Sequence, residues 1–273
     1  METGLLERLR ERLLSGEALV AGVLSGTSGD GIDVVLARLP RLQPGPGGPP
    51  RVLAFETRPF PAQVAGRVRA ALDGAPLGLR DAALLSRDLG RAFGEAVRDV
   101  AAARDLRPEL VGSHGQTVWH HDGAEPSGPA TLQLGDGDFV AEAARCAVVS
   151  DFRQRDVAAG GEGAPLSALA DDLVLADVPR PCLVLNLGGM ANLTFLPGPA
   201  GGELMSFDTG PANALLDGLA RRLLGRPSDD GGARAMAGRP DRELIERWLA
   251  DAWFRRPPPK STGRDTFGER WLD

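Results

Sequence analysis

Two stretches of this 273-residue sequence share one pattern, in which a glycine-containing break separates two apolar runs. The first pair of runs covers residues 18–24 and 32–36, and the second lies within CLVLNLGGMANLTFLP, which starts at Cys182. Apolar runs of this length around a short glycine break indicate paired strands. Further strand-like runs alternate with amphipathic helical stretches, so we predict an α/β fold with two related halves.

Charge and hydropathy exclude several classes of partner. The net charge is −6 and the arginines are dispersed, which disfavours a nucleic acid or an anionic membrane surface. Residues 1–17 place leucines at helical spacing among charged residues, which predicts an amphipathic helix rather than a signal peptide. Without a stretch that could span a membrane, we expect a cytoplasmic protein.

The chain has a single lysine, Lys260, among 31 basic residues. A lysine-dependent phosphate loop would have to use it, but RRPPPKSTG puts three prolines directly before it. Proline has no N–H to offer a phosphate, so Lys260 does not belong to a Walker motif.

The first glycine break reads SGTSGDGID, and two interpretations of it remain open. Successive backbone N–H groups and hydroxyls could converge on phosphate oxygens, with Asp30 and Asp33 placed to hold Mg²⁺. A polar hairpin turn with glycine at positive φ would explain the same composition.

All three histidines lie in SHGQTVWHH. His120 and His121 are adjacent and would point to opposite faces of a strand, which disfavours a metal site. We favour a strand end that presents His114 and Gln116 into a cleft.

Two further stretches each allow a functional and a structural interpretation. In DFRQRDVAAGGEGAPL, Arg153 and Arg155 could bind a carboxylate or phosphate, or could lie in an exposed charged turn. In FDTGPAN, Asp208 ends a predicted strand before a helix expected from Pro211. Its carboxylate could polarise water or a hydroxyl, or could cap that helix.

Taken together, seven ordered stretches resemble the anhydro-N-acetylmuramic acid kinase family, from about Gly22 to the last residue. They are LSGTSGDGIDVVL, GSHGQTVWH, QLGDGDFVAE, VVSDFRQRDVAAGGEGAPL, LNLGGMANLTFL, FDTGPAN and KSTGRDTFGERWL. The resemblance implies two ribonuclease-H-like domains of the actin-like ATPase type around a cleft. We expect residues 1–17 to form a helical extension, residues 18–150 the first domain with the ATP phosphate loop, and residues 151–273 the second.

The resemblance also implies an activity. Family enzymes use ATP and Mg²⁺ to open the 1,6-anhydro ring of 1,6-anhydro-N-acetylmuramic acid by addition of water, and O6 receives the phosphate. The product is N-acetylmuramic acid 6-phosphate, in peptidoglycan recycling. The expected partner is therefore a small-molecule amino-sugar, and a homodimer is a possible assembly.

Site residues follow from the matched motifs. Asp208 corresponds to the general base that activates the water. The ATP-binding positions are Ser25, Gly26, Thr27, Ser28, Gly29, Asp30, Gly31, Ile32, Asp33, Gly188, Gly189 and Asn192, with Asp30 and Asp33 as the metal-binding pair. The substrate-binding positions are Arg153, Arg155, Asp156, His114 and Gln116.

The sequence departs from the family pattern mildly at Gln154, Glu162 and Ala212, and in two further ways. Gly29 stands where the family usually has leucine, which removes an apolar anchor from the phosphate loop. Family members also continue beyond the KSTGR block by roughly half a domain, so we expect a second domain that is truncated at its C-terminus. The alternative function is a truncated, catalytically weak sugar-binding or regulatory remnant.

Overall fold

The computed structural model describes residues 3–26, 29–41, 48–122, 128–263 and 266–272. Helices and strands alternate along the chain, so the predicted α/β class is confirmed. The chain forms two compact units. Unit 1 comprises Met1–His120, Ala130–Gly163 and Leu173–Asp177, and unit 2 comprises His121–Pro129, Ala164–Asp172 and Val178–Asp273.

The larger sheet is built from the first six strands. They are β1 (Leu19–Ser25), β2 (Ile32–Arg38), β3 (Arg51–Arg58), β4 (Leu110–Asp122), β5 (Pro129–Leu134) and β6 (Ala147–Val149). The order is β3-β2-β1-β4-β5, with β6 paired to β4. Strands β1, β2 and β3 form an antiparallel meander, whereas β4 runs parallel to both β1 and β6.

The helices have the following bounds: α1 (Thr3–Ser15), α2 (Ala62–Leu72), α3 (Leu79–Ala102), α4 (Gly137–Ala144), α5 (Phe152–Ala158), α6 (Ser167–Val174), α7 (Asn213–Leu224), α8 (Ala233–Ala237) and α9 (Arg242–Leu249). Helix α3 packs on the larger sheet through one apolar face. That face consists of Leu85, Leu89, Phe93, Val97 and Val100, which are all buried in the core of unit 1. Apolar residues at this spacing form a continuous stripe along a helix.

Unit 2 contains a three-stranded antiparallel sheet in the order β7 (Cys182–Leu187), β8 (Met190–Leu196) and β9 (Met205–Pro211). Strands β7 and β8 are the second predicted strand–glycine–strand pair, and like β1 and β2 they are antiparallel. Aromatic rings pack together beside this sheet, with Phe267 fully buried and its centroid 5.1 Å from that of Trp253.

Local structure differs from the sequence prediction in three places. Strand β4 does not end near His114 but continues to Asp122, because a bulge with Gly115 at φ 76° absorbs one extra residue. The DFRQRD stretch forms helix α5 rather than a turn. Strand β9 extends through Pro211, so helix α7 begins two residues later than expected, at Asn213.

Candidate active site

Asp208 is a buried carboxylate on β9, with 7% of its surface exposed. It does not cap α7, since the cap residue of that helix is Ala212 and no side chain bonds its first amides. Instead, the backbone N–H of Thr262 donates to Asp208 Oδ2 at 2.8 Å. A backbone amide that donates to one carboxylate oxygen holds the carboxylate in one orientation.

The segment that contacts Asp208 comprises residues 260–262. The N–H of Asp208 donates to the carbonyl of Lys260 at 2.8 Å, so both the main chain and the side chain of Asp208 are held by this segment. Lys260 itself is buried, and Nζ donates to the carbonyls of Trp253 and Phe254. Burial, followed by repulsion from Arg256, lowers the pKa of Lys260.

The glycine turn between β7 and β8 contacts the start of α7. The carbonyl of Gly188 accepts from the N–H of Asn213, and the carbonyl of Gly189 accepts from the N–H groups of Ala212 and Ala214. These bonds satisfy amides that a helix start leaves without intrahelical partners. The LNLGG and FDTGPAN stretches therefore meet in space, although about twenty residues separate them in sequence.

Asn192 lies directly opposite Asp208 in the register of β8 and β9. Cross-strand partners project from the same face of an antiparallel sheet, so the amide of Asn192 and the carboxylate of Asp208 share a face. Thr194 and Ser206 pair two positions further along the register and continue this polar face, with their hydroxyl oxygens 3.0 Å apart. Thr194 also donates to Asp171 Oδ2 at 2.7 Å.

Within unit 1, a second group of predicted site residues forms a connected network. Arg153 Nε donates to His114 Nε2 at 2.7 Å, and Arg153 also donates to the carbonyl of Gly163 at 2.9 Å. Asp156 Oδ2 accepts from the N–H of Gly163 at 2.8 Å. Two side chains of α5 therefore bind Gly163 of the glycine loop, one at its carbonyl and one at its N–H. Arg155 is exposed on the same helix and does not join this network.

His114 is neutral in this arrangement. Burial, and then the positive charge of Arg153, lowers the pKa of His114, although a hydrogen bond to Gly115 acts in the opposite direction. Arg153 can only donate, so Nε2 accepts and the proton lies on Nδ1, which donates to the Gly115 carbonyl at 3.2 Å.

A polar cavity of about 300 Å³ lies beside His114 in unit 1. Its lining includes Ser113, Gln133, Asp136 and Asp151. Ser113 is 1% exposed, and its hydroxyl has no hydrogen-bond partner among the residues that the structure describes. A buried hydroxyl without a partner costs about 1–3 kcal/mol, which a ligand hydroxyl could recover.

The predicted phosphate loop follows β1, and Thr27 and Ser28 lie outside the described residues. Gln116 is fully buried and donates from Nε2 to the carbonyl of Gly26 at 3.1 Å, so it contacts the loop itself. Gly26 also accepts from the N–H of Gly29. Ile32 is buried in the core, which leaves only its main chain for a ligand.

The predicted metal-binding pair has one residue with a protein partner. Asp33 Oδ1 accepts from Thr57 Oγ1 at 2.6 Å, and Asp30 is exposed. Over the described part of the chain, no group of three or more His, Cys, Asp or Glu side chains could hold a metal ion.

None of the helices that the structure describes is long and apolar enough to cross a membrane.

Sequence reasoning missed several residues of these sites. Residues 260–262 contact Asp208 across more than fifty positions of the chain, and the bond from Thr262 spans 54. Ser113 is a second such residue, and the signal for it in the sequence is its position directly before His114.

Fold and site together define a mixed α/β protein with two glycine-turn hairpins and a buried, oriented carboxylate. Comparison with known proteins gives a family. The model of the family described as anhydro-N-acetylmuramic acid kinase matches residues 18–273. The chain belongs to the anhydro-N-acetylmuramic acid kinase family.

Curated relatives agree with the family model. The chain is 44% identical over 256 residues to the anhydro-N-acetylmuramic acid kinase of Gloeobacter violaceus, across 92% of this chain. It is 41% identical over 262 residues to that of Salinibacter ruber, across 93% of this chain. In both cases the match spans 66% of the relative's length. Among solved structures, the ROK hexokinase of Thermus thermophilus matches 83% of this chain and 72% of its own, with a TM-score of 0.35 and 18% identity.

Proposed function

We propose that the chain is an ATP-dependent kinase that opens the 1,6-anhydro ring of 1,6-anhydro-N-acetylmuramic acid and phosphorylates O6. Membership of the family supports this activity. The single observation that carries the proposal is the environment of Asp208. Its carboxylate is buried, and the backbone N–H of Thr262 donates to its Oδ2. The product would be N-acetylmuramic acid 6-phosphate, which belongs to peptidoglycan recycling.

The proposed reaction needs one base and one electrophile. Asp208 accepts a proton from water, and the water oxygen forms a bond to the anomeric carbon. The bond from that carbon to O6 breaks, and O6 takes the γ-phosphoryl group of ATP, with ADP as the leaving group. The phosphoryl group captures the departing oxygen, so no separate general acid is required.

The polar cavity of unit 1 is our candidate for part of the sugar site. The hydroxyl of Ser113 can donate and accept hydrogen bonds, and the carboxylates of Asp136 and Asp151 can accept them. Neutral His114 also lines the cavity. Such a mixture suits the hydroxyls of a sugar. Arg153 and Asp156 would position the neighbouring loop, and the exposed Arg155 is left as a candidate for an anionic group of the substrate.

Residues 25–33 are our proposal for the ATP phosphate loop, with Gly188, Gly189 and Asn192 as the second phosphate-facing group. Because the ammonium of Lys260 donates to the carbonyls of Trp253 and Phe254, main-chain N–H groups and hydroxyls would have to bind the phosphates. Mg²⁺ is commonly held by one or two carboxylates together with substrate phosphates, so Asp30 and Asp33 fit that role. When bound, Mg²⁺ would neutralise charge on the transferred phosphoryl group.

The test is product formation by this chain. Purified protein is incubated with ATP, Mg²⁺ and 1,6-anhydro-N-acetylmuramic acid, and mass spectrometry follows the sugar. We expect a 6-phosphate with one added water, together with one ADP per product. Sugar binding in calorimetry without any phosphorylated product would contradict the kinase and support the sugar-binding remnant.

A further inference from the structure

Lys260 is buried, and none of the carboxylates that the structure describes pairs with it. Only 6% of its surface is exposed, and it forms no ion pair within the described ranges. Nζ donates to the carbonyls of Trp253 at 3.3 Å and Phe254 at 3.1 Å, and lies 4.3 Å from the centroid of the Trp253 ring. Lysine is almost never fully buried unless its charge is compensated, so the buried position of this ammonium requires an explanation.

The choice of lysine is informative in this chain. Of the 31 basic residues, Lys260 is the single lysine, which leaves 30 arginines, so arginine serves everywhere else. An ammonium is a compact charge whose three donors can reach two neighbouring carbonyls and a ring face together. A planar guanidinium matches the two oxygens of a carboxylate or phosphate better than it matches two carbonyls and a ring face.

The same residue contacts Asp208 through its main chain. Its carbonyl accepts from the N–H of Asp208, and two residues later Thr262 N–H donates to Asp208 Oδ2, both at 2.8 Å. The ammonium therefore fixes the 3₁₀ turn Ala252–Arg255 to a segment that bonds both the main chain and the side chain of Asp208. Ser261, between the two contacts, is fully buried.

We propose that Lys260 is a positioning residue for Asp208: its ammonium anchors residues 260–262 so that the Thr262 amide holds the carboxylate in the orientation needed to activate water. This inference rests on the proposed function for Asp208. Lys260 does not touch the reacting atoms. Loss of its ammonium would loosen the Thr262 contact and misplace the base, and misplacement of a catalytic group by about 1 Å can cost roughly 10²-fold in rate.

The first experiment uses the wild-type chain and needs no turnover. Since Lys260 is the single lysine, ¹⁵N-lysine labelling gives one side-chain ammonium signal. We expect its neighbouring methylene protons to be shifted upfield by the Trp253 ring. Methylene shifts equal to those of a free lysine side chain would overturn the proposal.

The second experiment compares Lys260→Met with Arg239→Met, which removes an exposed cation from the same unit. Hydrogen exchange at the Thr262 and Asp208 amides should quicken by about tenfold or more in Lys260→Met and stay unchanged in the control. Lys260→Gln, which retains a donor, should lie between them. Unchanged exchange at both amides in a folded Lys260→Met chain would overturn the proposal.

Kinetics separate this proposal from the proposed function. We expect Lys260→Met to lower kcat by about tenfold or more with KM within about twofold. A higher KM at unchanged kcat would overturn the positioning role. Absence of turnover in the wild-type chain would instead count against the kinase, while the labelling and exchange results would still decide the role of Lys260.

Discussion

Gly29 is the residue at which this chain departs from the family loop, and its surroundings compensate for the change. It has φ of 62°, and a Cβ at this position would lie 2.3 Å from Leu72 Cδ1 and 3.5 Å from Val68 Cγ1. The sequence predicts the loss of an apolar anchor. In the structure, the side chain of Leu72 from α2 occupies the space that the Cβ of a larger residue at position 29 would need.

We therefore predict that Gly29→Ala destabilises the chain by more than the backbone conformation alone requires. The left-handed conformation costs a residue with a Cβ about 1–2 kcal/mol. Gly74→Ala is the matched control, since Gly74 has φ of 78° and nothing within 4 Å of its added Cβ. Urea unfolding should show the larger loss for Gly29→Ala, and the excess should be absent when Gly29→Ala is made in a Leu72→Ala background. Equal losses in the two glycine variants would contradict the contact.

His114 makes stability depend on pH. Its pKa is lowered in the folded chain from an ordinary value of 6.5, by burial first and by Arg153 second. Below that value the unfolded chain binds a proton that the folded chain does not, so the free energy of unfolding falls as the pH decreases. We predict that unfolding between pH 7.5 and 5.5 shows this fall, and that His114→Gln, which keeps an acceptor for Arg153, reduces it. An equal fall in both chains would assign the effect to other groups.

At the scale of elements, long periodic segments were predictable and short polar ones were not. The face of α3 and the two glycine-turn hairpins follow directly from apolar spacing. Helix α5 has seven residues, none of them buried, so it leaves no periodic signal in the sequence. The bulge in β4 depends on Gly115, whose positive φ no pattern of apolar residues reveals.

Helices α3 and α4 approach each other closely through glycine. A Cβ on Gly94 would lie 2.6 Å from the carbonyl oxygen of Val140, and backbone cannot yield as a flexible side chain can. We predict that Gly94→Ala destabilises the chain. Gly66→Ala, in α2 with open space around it, should instead stabilise it by about 0.5–1 kcal/mol through helix propensity. Thermal melts of the two variants test the pair, and a Gly94→Ala chain as stable as wild type would contradict the close approach.

At the scale of the whole molecule, the family was predictable and the environment of the site was not. Seven ordered stretches identify the family because each keeps several residues of a local motif, and the family model bears this out. The contacts that hold Asp208 come from residues 260–262, and no local spacing rule connects positions so far apart. The proposed boundary between residues 150 and 151, and the roles of the individual site residues, stay predictions.

The most direct test of the central claim compares Asp208→Asn with Glu203→Gln. Both changes convert a carboxylate to an amide in unit 2, but Glu203 is exposed whereas Asp208 is buried and held by Thr262. Turnover of ATP and 1,6-anhydro-N-acetylmuramic acid is measured at saturating substrate. We predict that Asp208→Asn lowers kcat by about 10²–10⁴-fold, the usual contribution of a general base, while Glu203→Gln matches wild type. A folded Asp208→Asn chain that turns over at the wild-type rate would contradict the account.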